Sequence, residues 1–133
     1  MNKKGITYLT PAQVLAIHDQ AVKRFGGSFG IRDLGLIESA VARPQASFDG
    51  EDMYSDIFDK AAALLQSLLK NHAFTDGNKR TALSSAAIFL RLNGYKLKNN
   101  HLDEVEFGVA VDNQHLSIEQ ISKWLKEHSV KIP

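Results

Sequence analysis

Two apolar stripes at helical spacing flank one short polar stretch, and that arrangement constrains the chain more than any other feature of it. Ile57, Ala61, Leu64, Leu65, Leu68 and Leu69 form the first stripe. Ala82, Leu83, Ala86, Ala87, Ile88, Phe89 and Leu90 form the second, and 72-HAFTDGNKR-80 joins the two. The spacing predicts two helices. Ser55 or Asp56 stands ready to cap the first, which carries Asp59 in its first turn and delivers the chain directly to His72. The second stripe wraps nearly the whole circumference, which predicts a helix over residues 80 to 93 buried in the centre of the protein.

The other elements follow from cap and breaker signals. Thr10-Pro11 is a strong helix start, and Val14, His18, Ala21, Val22 and Phe25 recur at helical spacing up to the Gly26-Gly27 break. A shorter helix fits Asp33 to Ala42, capped by Asp33 and stopped by Pro44, which disfavours helical geometry at Arg43. From Gln45 to Asp56 the chain reads as a polar, flexible loop. Asn93-Gly94 ends the central helix. Leu102, Val105 and Val109 predict a further helix, and Ser117 with Gln120 resembles a capping box opening Ile118 to His128. Only Ile6 to Leu9 and Tyr95 to Leu97 alternate as strands do, so the expected fold is all-α, arranged around one central buried helix.

A chain of 133 residues with 44% hydrophobic content predicts a single domain over residues 1–133, able to bury a core without disulfides or metals. Lys and Arg number 16 against 15 Asp and Glu, a net charge of +1, so no overall field draws the protein to nucleic acid or to an anionic membrane. Any anion site must be local. The absence of Cys suits a reducing compartment. Met1 to Gly5 carries two lysines with no sustained apolar run behind it, so neither a signal peptide nor a transmembrane segment is expected, and the chain reads as cytoplasmic.

Within the joining stretch, a Gly-containing turn feeds a helix whose first amides lack intrahelical partners and whose dipole is positive at that end. This makes an anion site. Gly77 permits the turn, and Asn78, Lys79 and Arg80 add one neutral and two charged donors. Arg grips phosphate oxygens with parallel bonds, whereas Lys acts as a mobile point charge. Cations at a helix start oppose its dipole, which favours a bound anion beside them. Transfer of that phosphate needs a metal and a base besides. Asp76 could supply the one and His72 the other, because magnesium commonly takes one or two carboxylates and imidazole as a residue type titrates near neutrality. A Walker loop is absent, since Lys79 follows Asn78 and precedes Arg80.

The stretch HAFTDGNKR resembles the H-x-F-x-D-x-N-K-R signature of the Fic/Doc superfamily, in the form typical of Doc, the death-on-curing toxins. The segments 33-DLGLIESAVARPQ-45, 58-FDKAAALLQSLLKNH-72 and 80-RTALSSAAIFLRLNGY-95 are similar to the family's pattern as well. The resemblance implies a helical domain whose motif loop forms the active site, with His72 as base, Asp76 as magnesium ligand, Asn78, Lys79 and Arg80 on phosphates, and Phe74 anchoring the loop. Relatives that transfer AMP from ATP have Gly where this chain has Lys79, and often a second Arg where it has Leu83. Both departures point to the Doc branch. That branch implies ATP and Mg²⁺ as cofactors, phosphorylation of a threonine of translation elongation factor Tu, and restraint by a cognate antitoxin. The inhibitory S/T-x-x-x-E-G/N helix of self-restrained Fic proteins is not found, Ser47 to Asp52 ending in Asp.

The leading expectation is therefore an ATP-dependent protein kinase, with no direct contact to nucleic acid or membrane. AMP transfer to a protein hydroxyl is the alternative within enzymes, and a non-catalytic module that binds an anionic partner is the alternative outside them. A pure binder would not require both His72 and Asp76. His18, on the apolar stripe of the first helix, reads as a hydrogen-bonded core residue and Arg91 as a surface salt-bridge partner. Lys123, Lys126 and Lys131 are too sparse for a nucleic-acid stripe.

Overall fold

The computed structural model describes residues 5–98 and 101–133, with the side chains of 101–105 and 113–114 outside that description. The short basic start over residues 1–4 also lies outside it. Six α-helices run through the described residues: α1 Pro11–Phe25, α2 Leu34–Ala42, α3 Ile57–Asn71, α4 Asn78–Leu92, α5 His101–Gln114 and α6 Ile118–Glu127. The fold is mostly helical, as the periodicity predicts. Two small antiparallel pairs join them, β1 Ser47–Phe48 with β2 Glu51–Asp52, and β3 Tyr95–Leu97 with β4 Ser129–Lys131.

The cap signals act as their chemistry requires. The Thr10 hydroxyl accepts from the Gln13 amide while the Gln13 side chain accepts from the Thr10 amide, a reciprocal box that opens α1 with Pro11 in its first turn. Ser117 and Gln120 repeat the device at α6. Asp56 caps α3 by accepting from the Phe58 amide at 2.6 Å. Asp33 stands at the α2 cap position, but its side chain makes no capping bond.

Burial corrects the expected centre. The helix surrounded on most sides is α3, which packs against α2, α4, α6 and the turn after α2. Its buried face includes Leu64, Leu65, Leu68 and Leu69, each contributing roughly 1.5–3 kcal/mol. Helix α4 starts at Asn78, two residues earlier than expected, and is one-sided. Thr81, Ala82, Ser85, Ala86, Phe89 and Leu90 face inward while Ile88 and Leu92 remain partly open to solvent. Several small apolar side chains in succession mimic an all-round apolar helix, yet only part of them is covered. Of the residues expected inside α5, Val109 is exposed and Phe107 and Val111 carry the packing instead. Leu102 and Val105 lie among the side chains not described.

Three further expectations need correction. The α-helix does end at Ala42 as expected, but Arg43 keeps right-handed helical geometry and Arg43–Gln45 continues as a 3₁₀ turn. The steric penalty before proline is offset because the Arg43 side chain donates to the Tyr54 hydroxyl, Gln66 Oε1 and Ser67 Oγ, and because Pro44 itself is buried. The stretch taken for a flexible loop holds the β1–β2 hairpin. Asp49 and Gly50 both have positive φ, 52° and 80°, the geometry that an Asp-Gly hairpin turn adopts. Ile6 to Leu9 is not a strand. Thr7 N–H donates to Asn93 Oδ1 and Thr7 C=O accepts from Asn93 Nδ2, both at 2.8 Å, so a side-chain amide takes the place of a neighbouring strand.

The hairpin is tied down by an unusual group. Lys60 on α3 has 0% exposure, and its ammonium reaches Asp52 at 3.2 Å and the Pro44 carbonyl at 3.1 Å. A buried charge persists only when paired and hydrogen-bonded, so these two contacts hold the 3₁₀ turn and the hairpin onto α3. Among the described residues no helix is long and apolar enough to cross a membrane.

Candidate active site

The site begins where α3 must end. His72 takes the left-handed conformation at φ 50°, ψ 50°, which terminates the helix and turns the chain toward α4. Residues 73–75 then run beside residues 30–33 as a short antiparallel ribbon. Thr75 N–H donates to Gly30 C=O at 3.0 Å, and Arg32 N–H donates to Ala73 C=O at 2.8 Å. Gly30 leaves room at this crossing: a β-carbon there would lie 2.5 Å from Thr75 Oγ1, and the Thr75 side chain would have to turn aside.

Phe74 points down from this ribbon and is 1% exposed. Its ring stacks on the His18 ring, with centroids 3.8 Å apart and planes 8° from parallel. His18 Nε2 lies 2.7 Å from the Asp76 carbonyl; a carbonyl only accepts, so the imidazole proton sits on Nε2. Asn78 closes the loop from the other end, with Oδ1 accepting from the Phe74 amide at 3.1 Å and Nδ2 donating to the Phe74 carbonyl at 2.9 Å. The loop is thereby fixed from below, from the side and from the next helix.

Gly77 at φ 79° forms the entry to α4, and no side chain caps that end. The first bond of the helix runs from Thr81 N–H to Gly77 C=O, leaving the amides of Asn78, Lys79 and Arg80 ahead of the ladder. They open on a cleft of about 460 Å³. That volume lies within the roughly 300–1,000 Å³ of small-molecule sites. His72, Asp76, Gly77, Asn78, Lys79 and Arg80 all line it, while Phe74 supports it from within the core. The Asn78 side chain is committed to Phe74, so its contribution to an anion is its backbone amide.

Both adjacent cations have partners inside the protein. Lys79 Nζ lies 3.4 Å from Asp112 on α5, in a pair half open to water on the lysine side. A pair of this kind contributes at most about 1 kcal/mol, and a multiply charged phosphate can compete for the lysine. The Arg80 guanidinium lies over the Phe25 ring, 3.7 Å from its centroid. Asp76 is exposed; its Oδ1 accepts from the Gly77 amide at 2.9 Å. A β-carbon on Gly27, at φ 111°, would come within 2.6 Å of Asp76 Oδ2.

Sequence reading singled out the motif and not what α1 adds to it. His18 is the buried, hydrogen-bonded residue expected, and it also carries the floor of the loop. In the sequence, Phe25 is the last apolar position of the first helix and Gly27 part of the break after it. A signal existed in the Gly26-Gly27 pair, more glycine than a helix stop requires.

The Fic/DOC family model matches residues 8–90. The Toxin Doc of Mycolicibacterium smegmatis is 59% identical over 73 residues, which are 55% of this chain and 56% of that protein. The chain thus spans about half the length of that relative. The Protein kinase doc of Escherichia phage P1 is 33% identical over 120 residues, 90% of this chain and 93% of that protein.

Proposed function

The chain belongs to the Fic/DOC family, and on that premise we propose that it is a Doc-type toxin that transfers the γ-phosphoryl group of ATP to a protein hydroxyl. The observation that carries this reading is the convergence of His72, Asp76 and the uncapped start of α4 on one cleft. The acceptor oxygen forms a bond to the γ-phosphorus as the bond to the β–γ bridging oxygen breaks, and His72 takes the hydroxyl proton. The amides of Asn78, Lys79 and Arg80, with the two cationic side chains, hold the phosphate chain.

The donor set fits Mg²⁺. Among the described residues no three acidic or histidine side chains gather as a metal cage. Magnesium rarely needs one, and Asp76 with phosphate oxygens and water would hold it. When bound, it would neutralise charge building on the transferring phosphate. By resemblance to Doc toxins, the acceptor is a threonine of translation elongation factor Tu.

Incubating the protein with a cell lysate and ATP labelled on one phosphate tests the reading. Label from the γ-position is expected on the acceptor, and mass spectrometry identifies the hydroxyl. Transfer of α-label would overturn the kinase reading in favour of AMP transfer, and no transfer of either label would leave a binding module. Restraint would come from a cognate antitoxin, whose segment folding into an apolar groove is the economical device. Co-purification with the product of a neighbouring small gene is expected, and full activity tolerated by cells without such a partner would count against it.

A further inference from the structure

Part of the cleft wall comes from the end of α1, outside the nine-residue motif. Phe25 is the last residue of that helix and its side chain is 51% exposed. A half-exposed phenyl ring is unremarkable alone. What marks this one is the Arg80 guanidinium carbon 3.7 Å from its centroid, with Arg24 more loosely over the same ring at 5.5 Å. At the shorter distance the Arg80 group lies nearer face-on than edge-on, because an edge-on approach would drive its N–H groups into the ring. Flat stacking uses the π face and leaves the in-plane donors free.

Among the described residues no hydrogen bond or ion pair holds Arg80, in contrast to Lys79 on Asp112. A flexible arginine beside a phosphate site would otherwise sample many rotamers, and ordering it opposes binding. The ring removes part of that cost in advance. The ring stands at the close of α1, where the helix ends beside the cleft. Gly26 N–H donates to Val22 C=O at 2.7 Å, and Gly27 sits where any side chain would strike the Asp76 carboxylate.

We infer that Phe25 is a positioning residue, holding the Arg80 guanidinium flat at the edge of the cleft so that its in-plane donors meet the phosphate chain of the nucleotide. The inference rests on the proposed reading only as far as the ligand is a polyphosphate. It is tested on the full chain by calorimetric titration with inorganic tripolyphosphate and with ATP, a readout that does not depend on group transfer.

Arg80→Gln is expected to weaken tripolyphosphate binding roughly 10- to 100-fold, the range of a charge-assisted contact. Phe25→Leu keeps apolar bulk and removes the π face, and should weaken it roughly 3- to 10-fold. Phe25→Tyr retains the face and should restore binding to about the original value. The decisive comparison is the double variant: once Arg80 is Gln, Phe25→Leu should add nothing. An equal loss in both backgrounds, or no loss from Phe25→Leu alone, would overturn the inference. So would failure of tripolyphosphate to bind the unaltered protein. A protein that shows the coupling yet transfers α-label keeps this inference and loses the kinase reading, so the two fail separately.

Discussion

Replacing His72 with alanine is expected to slow group transfer by roughly 10²- to 10⁴-fold, the usual consequence of removing a general base, while ATP binding persists. The geometry makes this a clean experiment. His72 is exposed at the end of α3, and among the described residues no hydrogen bond holds its ring, so the substitution removes no core packing. The one structural difficulty is the backbone. At φ 50° a residue with a β-carbon is strained, and alanine tolerates that region less well than histidine or asparagine, at a cost of about 1–2 kcal/mol. His72→Asn therefore serves beside it, since it accepts the left-handed turn and still lacks the base. Both variants should lose transfer alike and bind ATP alike. Near-normal transfer by His72→Asn would remove His72 from the role of base, whatever alanine does.

The sequence was most legible where a single local interaction decides the structure. The Thr10 cap, the Ser117 box, the Asp56 cap and the Gly77 turn each involve residues within four positions of one another, and each forms as its chemistry requires. Family resemblance added the motif residues, of which His72 and Asp76 to Arg80 line one cleft while Phe74 lies in the core beneath it. Local reading failed in two ways. At Asp49-Gly50 the turn is local, but strands of two residues show almost no alternation, so the segment reads as a polar loop. At Pro44 a true local preference was overruled by tertiary contacts of Arg43 that no window of sequence contains. The support of the motif belongs to this second kind. His18 meets Asp76 across 58 residues of chain, and nothing in either segment announces the other.

Asp76→Asn should abolish most of the transfer while leaving the protein folded, a loss of roughly a hundredfold or more given that metal stabilisation of a transferring phosphate amounts to several kcal/mol. The substitution is close to isosteric, and the contacts that shape this residue survive it. The backbone carbonyl still accepts from His18 Nε2, and an amide oxygen can still accept from the Gly77 N–H as Oδ1 does at 2.9 Å. What disappears is the negative charge. Asp76 is the acidic side chain lining the cleft, so without it magnesium would be held by phosphate and water alone. The expected signature is a transfer rate that rises with magnesium far above the concentration saturating the unaltered protein, with an unchanged melting temperature. Added magnesium should recover part of the activity of Asp76→Asn and none of that of His72→Asn, because a metal can be supplied by mass action and a positioned base cannot. An unchanged magnesium dependence in Asp76→Asn would assign the metal to another residue.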